Sequence, residues 1–149
     1  MAGTELKSSH SSRNVRIARG YLWVLSVFNA LAALICGILF IGWPDGSAMG
    51  AGSMLEAMST FPLAAVFFQD FRWIGIAMLL LLWIPNELSV LALWLKRAWQ
   101  YPVVIAANVI VMLWCSFQFV FMPNGLAVFF FALSAIAVAA CLFLRKKEE

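Results

Sequence analysis

Residues 73–95 read WIGIAMLLLLWIPNELSVLALWL, an apolar run interrupted by a single ionisable side chain, Glu87, beside Pro85 and Asn86. At about 1.5 Å per residue a helix of this length covers the ~30 Å hydrocarbon core of a bilayer. A carboxylate in hydrocarbon costs several kcal/mol, so such groups face a bundle interior or a cavity and are functional-site candidates by default. The run therefore announces a membrane span and marks its most informative residue.

Three further blocks have the same character, and the four lie near residues 21–43, 71–95, 102–122 and 126–144. The chain of 149 residues is 64% hydrophobic and only 11% charged, against about 25% charged in a soluble domain. Four spans leave no room for a soluble domain. The expected architecture is all-α: a polytopic four-helix bundle forming one membrane domain over residues 20–149. Residues 1–19 precede it as a polar, Ser-rich basic tail, expected on the cytoplasmic side and disordered or frayed.

The basic residues are sorted by loop. Lys7, Arg13, Arg16, Arg19, Lys96, Arg97, Arg145, Lys146 and Lys147 fall on one side, and Arg72 alone falls opposite with Asp45, Glu56 and Asp70. By the positive-inside rule both termini are expected in the cytoplasm. Tyr21, Trp94, Trp99 and Tyr101 mark the inner interface, with Trp43 and Trp73 at the outer one. A pI near 9 does not signal nucleic acid here, because the basic residues are juxtamembrane and form no groove interleaved with aromatics. The first block follows a polar stretch and is too long for a signal-peptide core. Ile35 stands where a lipoprotein cysteine at Cys36 would need a small residue. The three cysteines make no C-x-x-C pair and no zinc spacing. Cys36 and Cys115 lie at matched depths, where a disulfide is geometrically allowed, but small packing residues are the simpler reading.

The first outer loop, residues 44–70, has two parts. PDGSAMGAGS carries turn signals. MLEAMSTFPLAAVFF is apolar enough for a short interfacial helix over the outer mouth of the bundle, with Thr60 placed to cap a turn at Phe61-Pro62. The connections at residues 96–101 and 122–125 are tight, so consecutive spans are antiparallel neighbours.

Counted from the inner aromatic belt, Asn29, Asn86, Glu87 and Asn108 all lie about 10–12 Å inside the boundary. Three helices thus supply strongly polar side chains at one level. Ser26, Asn29, Ala30, Ala33 and Gly37 form a small-residue stripe in span one, and Asn108, Val111, Cys115 and Gln118 share a face of span three. Gly75, Met78, Leu82, Pro85, Ser89 and Ala92 form the seam of span two, bordered by Asn86. Glu87 is rotated ~100° away from Asn86, so it faces either a crowded interior or a second subunit or lateral opening. Pro85 is expected to kink the helix and free the Leu81 carbonyl. The plainer role for these amides is interhelical hydrogen bonding, which a protonated Glu87 could share. Asp70 and Arg72 read as an exposed interfacial pair, and Gln118 as solvated near the outer interface.

Catalysis lacks its parts. The one histidine, His10, lies in the tail, and no nucleophile–base pair, metal-ligand set or cofactor motif is present. Two non-enzymatic readings remain. A pocket lined by small-residue faces and oriented by Glu87, Asn86, Asn29 and Asn108 would bind a lipid-like amphiphile or a partner membrane protein. Alternatively, Glu87 would exchange a proton against a substrate in a homodimer. That arrangement resembles the small multidrug-resistance exporters, four-span chains built around a membrane-embedded Glu, although theirs lies in the first span where this chain has Asn29. The segments PDGSAMG, Gly75-Ile76-Ala77 with Ile84-Pro85-Asn86, and Leu113-Trp114 with Gln118 are similar to small bacterial four-span proteins, loosely DoxX-like. That resemblance implies a bacterial cytoplasmic-membrane location and a four-helix bundle, and it carries over no catalytic residues.

Overall fold

The structure, a computed structural model, describes residues 2–60, 64–121 and 124–148. It is helical throughout, with no strand among the described residues. Helix α1 runs over Ala2–Gly42. A loop follows with a 3-10 turn at Ser47–Met49, then α2 (Gly52–Met58) and α3 (Ala64–Phe67). The second long rod is composite: α4 (Arg72–Ala77), a π-helical segment at Met78–Trp83, and α5 (Ile84–Trp94). Helices α6 (Gln100–Phe121) and α7 (Gly125–Glu148) complete the chain. Four helical stretches are long and apolar enough to cross a membrane: Arg13–Gly42, Arg72–Trp94, Gln100–Val120 and Gly125–Lys147.

Helix α1 corrects one expectation. The backbone of residues 2–19 continues the span as helix instead of fraying. No proline lies between Ala2 and Gly42, and extending an existing helix needs none of the unfavourable nucleation that an isolated helix requires. Pro44 then stops it.

The four long rods form a square: α1 packs on the composite rod and on α7, and α6 packs on the same two. Their inner faces carry small or polar residues, among them Ala30, Ala33, Ala92, Ala107 and Ala137, while Trp23, Phe28, Ile35, Leu80, Leu113 and Phe129 point outward. This inverts the pattern of a water-soluble bundle. It is the arrangement a bilayer favours, where close backbone packing and not hydrophobic expulsion holds helices together. At one crossing Gly37 and Gly75 bring α1 and α4 backbone to backbone.

Two apolar clusters fill the square. One, at the end where the termini emerge, joins Leu22, Leu25, Tyr101, Val104, Ala137, Cys141 and Leu144. The other, toward the long loop, joins Ala33, Leu82, Val111, Cys115 and Ala127. The loop has a small core of its own, Phe40, Ala51 and Phe71. The Phe40 and Phe71 rings stack at 4.7 Å, and the Phe71 N–H donates to the Pro44 carbonyl at 2.9 Å. Gly46 turns the chain here with φ of +75°, and a side chain on it would strike the Phe71 ring at 2.6 Å. The Thr60 hydroxyl donates back to the Ala57 carbonyl at 2.9 Å. The cap expected at Phe61-Pro62 lies outside the described residues. Asn124 is the clear N-cap, its Oδ1 accepting from the Ala127 N–H at 2.7 Å.

Candidate functional site

The composite rod shows how Pro85 shapes its surroundings. Proline has no N–H to close the helical ladder, and its ring crowds the preceding turn. The turns before it widen into the π segment, where the Ile84 N–H reaches back to Leu79 O. The disturbance expected at Pro85 is accompanied by this wider turn immediately upstream. Such π turns inside helices recur at functional sites.

Beyond this segment lie the polar residues singled out from the sequence. Asn86 is 0% exposed, Asn108 1% and Asn29 5%. The Asn86 Nδ2 donates to Leu82 O at 2.8 Å, and the Asn108 Nδ2 donates to Val104 O at 2.8 Å. A carbonyl can only accept, so these bonds settle the amide orientation and leave each Oδ1 facing away from its own helix carbonyl. Ser26, Ser89 and Ser134 are equally buried. The Ser89 hydroxyl donates to Pro85 O at 2.8 Å.

Glu87 is not among them. Its side chain is exposed on the outside of the bundle, in a stripe with Leu80, Leu81, Ile84, Leu88, Leu91 and Trp94. The helix period explains this: Asn86 and Ser89 occupy the inward face, and one residue of rotation carries Glu87 off it. Of the two alternatives open in the sequence, the structure adopts the outward one.

A cavity of about 400 Å³ lies toward the loop end of the square. Phe40, Phe71, Met78 and Phe130 form its walls, and Met49, Met54 and Met58 from the loop cover it. Asn29 lies on its lining; Asn86, Asn108 and Glu87 do not. A pocket oriented by all four residues is therefore not what the fold builds. Both amide atoms of Asn29, Oδ1 and Nδ2, lack a hydrogen-bond partner among the described residues. No family model, curated protein or solved structure matches this chain.

Cys36 and Cys115 both line the cavity as free thiols. Gln118, expected in water at the outer interface, is half-buried and lines it too. At the loop end of the composite rod, Asp70 Oδ1 accepts from the Arg72 N–H at 2.9 Å, and its Oδ2 sits 3.7 Å from the Arg72 Nε. An exposed pair of this kind contributes little to stability. The sequence did not give the cavity's lining, because its walls come from α1, the loop, the composite rod, α6 and α7. The only local signal was the methionine spacing at 49, 54 and 58, which reads equally well as ordinary apolar filling.

Proposed function

We propose that the chain is a non-enzymatic integral protein of the bacterial cytoplasmic membrane, with both termini in the cytoplasm, that holds a lipid-like amphiphile between its helices. One observation carries this reading: an apolar chamber of about 400 Å³ has on its lining an asparagine whose donor and acceptor are both unpaired among the described residues. Small-molecule sites have this form, a mostly apolar cleft of roughly 300–1,000 Å³ with a few polar groups that set orientation. Burying an amide without partners costs about 1–3 kcal/mol, so Asn29 gains from any ligand group that can bond to it. A hydroxyl or amide would serve both of its atoms. The ligand's apolar body would lie against Phe40, Phe71 and Phe130 under the flexible methionine cover, whose thioethers adapt to irregular shapes.

The test is mass spectrometry of small molecules that co-purify with the detergent-solubilised protein, compared with Asn29→Leu. The expected result is a stoichiometric amphiphile on the wild type and its loss from a folded variant. A wild type free of any such molecule, or a variant that retains it fully, overturns the reading.

A second reading rests on Glu87 alone, as a proton-exchanging carboxylate in a homodimer. The observation that favours it is the position of this one acid in an otherwise apolar exposed stripe. A carboxylate facing acyl chains is costly, and a second copy presenting the same face would shield it. Cross-linking in membranes should then give a dimer that Glu87→Leu weakens, together with a proton-dependent flux lost in Glu87→Gln. A monomer in membranes removes this reading.

A further inference from the structure

Sulfur is unevenly distributed in this protein. Of its 7 methionines and 3 cysteines, Met49, Met54, Met58, Met78, Cys36 and Cys115 all line the loop-end cavity. Only two leucines, Leu82 and Leu126, join them there, although leucine is far commoner than methionine in the chain. Plain apolar filling would draw on the common residue. The lining instead concentrates the two apolar side chains that carry a sulfur donor atom.

The fold gathers these sulfurs from separate elements. Met49 ends the 3-10 turn, and Met54 and Met58 stand about one helical turn apart on one face of α2. Helix α2 lies against α6, which carries Cys115. Met54 and Met78 both pack against the cluster of Phe40, Ala51 and Phe71, and Met78 packs as well against the cluster that contains Cys115. Cys36 precedes Gly37 at the crossing of α1 with the composite rod, where the Leu79 side chain, next to Met78, lies against Gly37. Exposure falls along the set, from 40% at Met49 to 5% at Met58 and 2% at Cys115. The series runs from the loop surface into the bundle.

We propose that this cavity holds a soft monovalent metal ion, copper(I) or silver(I), on its thioether and thiol sulfurs. Thiolate and thioether ligands select copper(I), whereas carboxylate, carbonyl and water oxygens suit the hard ions. Zinc sites are built from histidine, carboxylate and clustered thiolates, and among the described residues no group of three or more His, Cys, Asp or Glu could hold a metal. No Asp, Glu, Lys or Arg is among the lining residues, so an uncompensated charge in the chamber is costly. When Cys36 or Cys115 ligates the ion, its S–H bond breaks, a sulfur–metal bond forms, and the proton leaves to solvent. One monovalent cation enters for one proton lost, and the charge of the chamber is unchanged. A divalent ion in the same exchange would leave a buried positive charge. Thioethers complete the coordination without adding charge, and their flexible stems let them converge on an ion. Met49, the exposed member, is the entry ligand.

The metal site goes beyond the amphiphile reading and uses neither amide atom of Asn29, so the two stand or fall separately. The probe is copper(I), supplied anaerobically as its coloured bicinchoninate complex with ascorbate, to the purified protein in detergent. Wild type and Asn29→Leu are both titrated, so that an amphiphile in the chamber cannot mask the sulfurs. The expected result is saturable, stoichiometric transfer of copper(I), read as loss of the complex's colour. Met54→Leu/Met58→Leu conserves the volume of the lining and should retain both the melting point and any bound amphiphile. Losing these ligands should weaken copper(I) binding by at least what losing a ligand's supporting partner costs, about 10–100-fold. Met49→Leu, a change at an exposed position, makes the same comparison without touching the packed methionines. Failure of both wild type and Asn29→Leu to draw copper(I) from the complex overturns the proposal. Binding as tight in the methionine variants as in wild type overturns it too, since isolated thiols would then hold the ion.

Discussion

The Cβ that Gly75 lacks would stand 2.7 Å from the carbonyl oxygen of Gly37, and 2.9 Å from the Ile41 side chain. The reverse contact is softer. A Cβ on Gly37 would meet Leu79 Cδ2 at 2.7 Å and Cγ at 2.8 Å, with Gly75 O at 3.1 Å. A backbone oxygen held in a helical ladder cannot yield, whereas the leucine side chain as a whole can move to another rotamer. Gly75→Ala should therefore destabilise by about 1–3 kcal/mol, the usual range for overpacking. Gly37→Ala should cost less. Thermal melts in detergent check the order, and equal melting points for the two variants would contradict it.

Tyr21 ties α1 to α7 through its hydroxyl, which donates to the Leu133 carbonyl at 2.6 Å. The ring packs against the termini-end cluster whether or not the hydroxyl is present. Tyr21→Phe should thus cost only the net worth of one hydrogen bond, about 0.5–1.5 kcal/mol. Tyr21→Ala should cost more, through lost packing. Equal losses in the two variants would show that the bond, and not the ring, carries the contact.

Asp45 caps the turn at the start of the long loop. Its Oδ1 accepts from the Ser47 N–H at 3.1 Å and from the Ser47 hydroxyl at 2.8 Å. The backbone bond first and the hydroxyl bond second hold its carboxyl below the ordinary value of 3.8. A depressed carboxyl stabilises the fold above its unfolded value, and that contribution is lost as the pH falls through the lower folded value. The loop turn should therefore persist at pH 5 and loosen only under stronger acid. Titration of the Asp45 carboxyl by NMR should show a midpoint below 3.8, and Ser47→Ala should move it back upward. A midpoint at or above the ordinary value would contradict the capping.

Cys36, half-buried, and Cys115, buried, share the cavity lining, whereas Cys141 is fully buried in the cluster at the other end. A maleimide that enters from the loop end should modify Cys36 first, reach the buried Cys115 more slowly, and spare Cys141. Modification should displace a bound amphiphile, read as its loss in mass spectrometry. Complete labelling of both thiols with the ligand retained would place the ligand elsewhere.

Much of this fold was legible along the chain. The four apolar blocks match the observed helices to within a few residues, except that α1 begins far earlier than its block. The burial of Asn29, Asn86 and Asn108 follows from helical spacing against small residues, since the face that admits alanine and glycine is the face that packs. The same spacing already turned Glu87 away from Asn86. The sequence could not say whether that direction met another helix or open surface, because the answer depends on which rods stand beside span two. The π segment was hidden for a related reason. Proline signals a disturbed ladder, and the neighbouring helices decide how the rod absorbs it.

What the chain alone dictates is its count of helices, their length and the level of their polar side chains, because hydrophobic length and helical period are local properties. What only tertiary structure decided is who shares a space. Asn29 reaches the cavity, Asn86 and Asn108 stay buried off its lining, and Glu87 is left on the outside. Those outcomes depend on crossings such as Gly37 against Gly75, where the absence of two side chains sets how closely rods approach and which way each face is turned.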